Sequence, residues 1–164
     1  MLLARSRSLY LLISLACLAV LGAAFYLEFQ VGLEPCSLCI TQRVLLGAIA
    51  LVALVVAAHS PGRIGWRIYS ALVLTTAIAG GLSATRQIWL QSQAPIPSQG
   101  CHPGLHYMMQ IWSPSELWHA LLLGTPECAR INWTLFGLSL PEWSLLAFAG
   151  LALFALSQLF ERRR

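Results

Sequence analysis

Four of the five cysteines in this chain lie where sulfur could do chemistry. Cys36-Ser37-Leu38-Cys39 is a C-x-x-C, and Cys101 and Cys128 follow far downstream. C-x-x-C spacing is too tight for a good structural staple and is commoner in redox pairs. A thiolate at a helix N-terminus is favoured by the unsatisfied N–H groups and by the positive end of the dipole. Pro35, just before the motif, suits a helix that begins there. Arg43 comes four residues after Cys39, on the same helix face, so its guanidinium can approach that sulfur and hold it as a thiolate. The fifth cysteine, Cys17, sits inside an apolar run and reads as a small packing residue.

The elements that must position these sulfurs are membrane helices. Of 164 residues, 58% are hydrophobic and 10% charged, with a mean hydropathy of +0.72. A soluble domain carries about a quarter of its residues as charged side chains. That contrast excludes an ordinary soluble domain, a disordered region and a nucleic-acid-binding module. Four stretches reach the roughly 20 apolar residues that a membrane helix needs: about 9–29, 40–58, 68–90 and 143–160. The expected fold is an all-α membrane protein, a four-transmembrane-helix bundle forming a single membrane domain over residues 1–164.

Arginine sets the expected orientation. All ten basic residues are Arg; Arg5, Arg7, Arg63, Arg67 and Arg162 to Arg164 share one face, with Glu161 the one acid there. The other face carries Arg43, Arg86 and Arg130 against Glu28, Glu34, Glu116, Glu127 and Glu142. By the positive-inside rule both termini are cytoplasmic. A cleaved signal peptide is disfavoured, because the first apolar run continues past Cys17 through Phe25 and its loss would put the remaining Arg clusters on opposite faces. Two loops then lie outside, about 30–39 and 91–142. Proline breaks the long loop into pieces. Between Pro114 and Gly124, Leu117, Trp118, Leu121 and Leu122 recur at helical spacing, which suits a short helix lying at the lipid–water interface or simply anchoring the loop.

The four outer cysteines fall two in each loop, on a face where disulfides are expected, and four cysteines allow three pairings. Two structural disulfides would account for Cys101 and Cys128 but not for a C-x-x-C. A four-thiolate zinc site lacks a second close pair. A dithiol relay, one pair handing electrons to the other, is the reading that uses the helix mouth, Arg43 and the membrane together. Its terminal acceptor at the membrane edge is naturally a lipid-soluble quinone, with Arg43 stabilising the charge that develops on the quinone oxygens.

The chain resembles the disulfide bond formation protein B (DsbB) family over essentially its whole length. The likeness rests on Cys36-Ser-Leu-Cys39-Ile-Thr-Gln42-Arg43, on Cys101-His-Pro-Gly-Leu-His-Tyr-Met, and on Cys128-Ala129 followed by Trp133, Leu135, Gly137-Leu138-Ser139, Pro141 and Trp143. The resemblance implies a bacterial inner-membrane thiol:quinone oxidoreductase with redox-active pairs Cys36–Cys39 and Cys101–Cys128, ubiquinone or menaquinone as cofactor, and a DsbA-like periplasmic thioredoxin-fold partner. That partner would attack Cys101, the released Cys128 would attack Cys36, and Cys39 would be left as a thiolate beside quinone and Arg43. One departure concerns Gln87, where some members carry His: Gln87 can still hydrogen-bond a quinone carbonyl but cannot shuttle a proton, and it could equally be the polar end of the third span together with Arg86. The alternatives are a non-enzymatic four-span scaffold stapled by two inert disulfides, and a relay like the vitamin K epoxide reductase family, which usually carries its C-x-x-C near the end of a later span. His59, His102, His106 and His119 are scattered and suit surface roles, and Asn132-Trp133-Thr134 matches a glycosylation sequon that also arises by chance.

Overall fold

The computed structural model describes residues 2–33, 35–59, 61–93, 113–131 and 133–160. Helix α1 runs Leu2–Val31, α2 Ser37–His59, α3 Arg63–Ser92, α4 Pro114–Leu123 and α5 Leu140–Phe160. A 3-10 turn, Pro126–Ala129, and a two-strand hairpin, β1 Thr134–Leu135 with β2 Leu138–Ser139, lie between α4 and α5. Among the described residues, α1, α2, α3 and α5 are long and apolar enough to cross a membrane. All four contain the spans expected from sequence and overrun them by a turn or so at most ends, because hydrocarbon thickness limits the apolar stretch while the helix continues into the polar zone. The second span starts earlier than its apolar run does: α2 begins at Ser37, so Cys39 belongs to its first turn.

Neighbour order follows the chain: α1 packs on α2, α2 on α3, and α3 on α5. Within their most apolar windows α2 and α3 are 33% and 28% buried, against 17% for α1 and α5, so α2 and α3 form the inner pair. Leu12, Leu51, Leu82 and Leu153 point outward and are exposed, as apolar side chains facing lipid should be. The core is built from Tyr10, Ile49, Ala53, Val56, Val73, Ala77, Phe148 and Ala155. Lipid tails are as apolar as leucine, so helix association here rests on close packing of small residues. Gly80 is the tightest case: a Cβ there would stand 2.3 Å from the Phe148 ring.

Most polar groups inside the bundle are paired, the buried Ser83 hydroxyl being an exception. Tyr10 and Ser70 hydroxyls meet at 2.8 Å, Ser70 donates to the Trp66 carbonyl at 2.7 Å, and Ser14 donates to the Ala50 carbonyl at 3.0 Å. The Tyr10 ring also packs on Trp66 and Phe154, with centroids 5.1 and 5.2 Å away. These contacts draw α1, α3 and α5 together at the end of the bundle remote from the cysteines.

At the cysteine end, α4 starts with a capping box. Ser113 Oγ accepts from the Glu116 N–H, and Glu116 accepts from the Ser113 N–H at 2.9 Å. Its last carbonyls, which no intrahelical donor can reach, are taken by neighbours: Thr41 donates to the Leu121 carbonyl at 2.8 Å and Arg86 to that of Leu123 at 3.3 Å. Gly124 then turns the chain with φ +85°, and a Cβ there would press on Leu38 at 2.8 Å. Both the backbone angle and the close approach to α2 require glycine. Trp118, Leu122 and Leu123 remain exposed on α4, the arrangement an interfacial helix needs. The hairpin was not expected from sequence. Its two central residues, Phe136 and Gly137, have φ of 51° and 81°, the double positive φ of a tight primed turn.

Gly80→Ala should therefore destabilise the bundle by roughly 1–3 kcal/mol by overpacking Phe148, read as a lower unfolding temperature in detergent. Gly150→Ala, where a Cβ meets nothing within 4 Å, should be neutral or slightly stabilising.

Candidate functional site

Cys36 stands immediately before α2 and acts as its cap. Its carbonyl accepts the Ile40 N–H at 3.1 Å, and its sulfur accepts the Cys39 N–H at 3.4 Å, the bond a serine or aspartate oxygen makes at other helix starts. The C-x-x-C spacing, read through this cap, folds the two side chains onto one another. The Cys36 and Cys39 sulfurs stand 2.9 Å apart.

A third sulfur completes the cluster. Pro126 has no N–H and opens the 3-10 turn, and the Cys128 N–H closes that turn on the Thr125 carbonyl at 2.9 Å. The turn buries Cys128 to 1% exposure, on the first turn of α2. There the Ser37 hydroxyl lies 3.5 Å from its sulfur, and the Cys36 thiol and the Leu38 backbone favour its charged form. Cys36 thus stands between Cys39 and Cys128. These donors, the Cys36 thiol foremost, outweigh burial and lower the Cys128 pKa from 9.0 to about 5. Cys36, half-buried and flanked by the other two sulfurs, is pushed the other way.

Behind the sulfurs lies a pair of amides. Gln87 of α3 directs its side-chain nitrogen at Cys39 (3.3 Å) and Cys36 (3.4 Å), and its oxygen accepts from Gln42 of α2 at 2.8 Å. Both amides are buried. Of the two residues ending the third span, Gln87 turns inward to the sulfurs. Arg86 stays at the periphery, its guanidinium 4.5 Å from the Trp89 ring centroid.

Arg43 takes a different course from the one its spacing suggests. Rather than reaching Cys39, its guanidinium crosses to α1. There it pairs with Glu28, donates to the Ala24 carbonyl at 3.1 Å and rests over the Phe25 ring at 5.3 Å. A charge at membrane depth is costly without a counter-charge, and the Glu28 carboxylate outcompetes a neutral thiol. Arg43 and Cys39 nevertheless line one cavity of about 430 Å³, enclosed by α1, α2, α5 and the loop turn, with Gln87 at its back. Its walls are mostly apolar, among them Leu21, Leu46, Pro141 and Phe148, while Glu127 and Arg130 stand on the loop side.

Three of the four candidate cysteines are therefore together, with Gln87 touching two of them and Arg43 sharing their cavity. Cys101 lies outside the described residues, as do His102 and His106. Cys17 is buried in the core, as a packing residue should be. Sequence reasoning missed Glu28, Gln42, Ser37 and Thr125. An unpaired arginine at the start of one span and a lone carboxylate near the end of another were signal enough for the ion pair. Gln42 comes three residues after Cys39 and shares its helix face. Nothing in the sequence linked Ser37 or Thr125 to Cys128.

Known proteins resemble this chain over nearly its whole length. Residues 6–158 match the family model described as disulfide bond formation protein DsbB. Disulfide bond formation protein B 1 of Pseudomonas aeruginosa is 48% identical over 160 residues, covering 98% of each chain. Disulfide bond formation protein B of Stutzerimonas stutzeri is 43% identical with the same coverage, and that of Methylococcus capsulatus 42% identical over 159 residues, covering 97% of each.

The lowered pKa fixes an expectation for acidity. In cysteine-labelled, fully reduced protein, the carbon-13 Cβ resonance of Cys128 should titrate with a midpoint near pH 5. The thiolate should persist above that pH. A midpoint at an ordinary thiol value would mean that the donors on α2 do not act on this sulfur.

Proposed function

Because the chain belongs to the disulfide bond formation protein B family, we propose that it reoxidises a DsbA-like thioredoxin-fold partner and delivers the electrons to quinone. It would do so from the bacterial inner membrane, with its cysteine loops periplasmic and both termini cytoplasmic. The observation that carries this reading is the row of three sulfurs, Cys128 against Cys36 and Cys36 against Cys39, at the edge of an apolar cavity.

The partner's thiolate attacks Cys101 of a Cys101–Cys128 disulfide, and the electron pair of the broken bond leaves on Cys128. Cys128 then attacks Cys36 of the Cys36–Cys39 disulfide; a Cys128–Cys36 bond forms, the Cys36–Cys39 bond breaks, and Cys39 keeps the electrons. The partner's second thiol releases Cys101, which displaces Cys36 from Cys128 and restores the outer pair. Cys36 is then free to re-form its bond with Cys39 as the two electrons leave.

The cavity residues fit a quinone. A volume of about 430 Å³ is within the range of pockets that hold a small flat ring. Arg43 spends only part of its five N–H donors on Glu28 and Ala24, so it and Gln87 are the residues that would hold a ring carbonyl, between walls formed by Leu21, Leu46 and Phe148. When bound, quinone supplies the sink for two electrons and two protons and departs as quinol. Arg43 offers positive charge to a developing oxyanion. Gln87 offers a hydrogen bond without exchanging a proton. Burial of Cys128 keeps water and stray thiols from the transfer.

The test uses purified protein in detergent, a reduced DsbA-type protein and a soluble quinone, with quinone absorbance and partner thiols followed together. One quinone should be consumed per partner dithiol in wild type and none with Cys39→Ser. Arg43→Leu should lower kcat by on the order of 10²-fold, as loss of an oxyanion donor does. Persistence of both reactants with wild type, across several quinones and partners, would leave the cysteines as inert staples.

A further inference from the structure

The first turn of α2 does more than present its own C-x-x-C. A helix start leaves N–H groups without intrahelical partners, and here they act on two sulfurs. The Cys39 N–H donates to Cys36, and the Leu38 backbone favours the charged form of Cys128, which belongs to the other loop. Around that second sulfur stand two hydroxyls. Ser37 Oγ is 3.5 Å from Cys128 Sγ and 3.5 Å from Thr125 Oγ1, and Thr125 Oγ1 is 3.8 Å from the sulfur. All three side chains are buried. Ser37 and Thr125 come from elements 88 residues apart, so their contact also fixes the loop turn to the helix end.

We propose that Ser37 and Thr125 are positioning residues that seat the Cys128 sulfur, as a thiolate, on the N-terminus of α2 and aim it at Cys36. Ser37 thereby serves the opposite cysteine pair from the one whose motif contains it. The inference rests on the relay proposed above, in which a Cys128–Cys36 bond forms as Cys36–Cys39 breaks and the electron pair passes to Cys39. It deepens that reading by naming what governs the passage between pairs.

The titratable groups that face Cys128 are Cys36 and Cys39 of α2. Its own turn carries Glu127 and is followed by Arg130, both lining the cavity. From α3, Arg86 is engaged with the Leu123 carbonyl just ahead of the turn. The lowered Cys128 pKa agrees with a seat built from donors, Ser37 among them.

The experiment follows the carbon-13 Cβ resonance of Cys128 with pH in full-length, reduced protein in detergent, for wild type, Ser37→Ala, Ser37→Thr and Thr125→Val. Loss of a hydrogen bond to a charged sulfur should raise the midpoint by about one pH unit in Ser37→Ala, and Ser37→Thr should restore it. Thr125→Val should shift it the same way and by less. In turnover with partner and quinone, Ser37→Ala should then be about fivefold slower than wild type near pH 5 and nearly equal to it near pH 8, a profile that generally loosened packing would not give. Midpoints unmoved in both Ser37→Ala and Thr125→Val overturn the proposal. The resonance needs neither partner nor quinone. Shifted midpoints in a protein that reduces no quinone would therefore sink the relay and keep the seat, whereas turnover with unshifted midpoints would do the reverse.

Discussion

In a bundle surrounded by lipid, a polar group that does not face water must be satisfied from within the chain. Most residues that break the apolar pattern obey this constraint, Ser83 excepted, and the site is arranged by it. Ser14 and Ser70 turn their hydroxyls to backbone carbonyls, and Tyr10 meets Ser70. Gln42 donates to the Gln87 oxygen, which leaves the Gln87 nitrogen pointing at two sulfurs. Arg43 finds Glu28. The same rule that holds the helices together thus decides which donors reach the reactive atoms and where the charged side chain goes.

The loop between α3 and α5 is fitted to the bundle by the converse rule, through backbone groups left over at helix ends. The last carbonyls of α4 are taken by Thr41 of α2 and Arg86 of α3, and at the start of α2 the Ser37 hydroxyl meets both Thr125 and Cys128. Gly124 allows the chain to pass close enough to Leu38 for these bonds to form together. Fixing a loop in this way costs conformational entropy, and the gain is a buried sulfur in a defined place.

How far this was legible from sequence depended on the range of the physics. Local rules read well. Apolar length marked the spans, and Ser113 with Glu116 matched a helix start that the proline and glycine boundaries had already suggested. The C-x-x-C with its proline pointed to sulfurs at a helix mouth. Pairwise tertiary choices read poorly. Helical spacing put Arg43 beside Cys39 but could not weigh Glu28, which competes from another helix. Spacing also gave no hint that Ser37 would touch Cys128, because the 88-residue separation of Ser37 and Thr125 takes in α3 and α4. The hairpin at Phe136 and Gly137 escaped notice because its strands have two residues each, too short for any alternation to register.

The paired amides carry a consequence of their own. Carboxamides neither gain nor lose protons in the range where proteins survive, so Gln42 and Gln87 give the floor of the site a polarity that acid and alkali leave unchanged. Cys128, in the loop turn above them, has its pKa lowered to about 5 by the donors around its sulfur. The molecule therefore layers its chemistry by depth, with an electrically constant stratum inside the helices and a proton-responsive one at their rim. Swings in the acidity of the surrounding fluid would be registered at the rim, in the exchange between cysteine pairs, before they altered the donors that face the cavity.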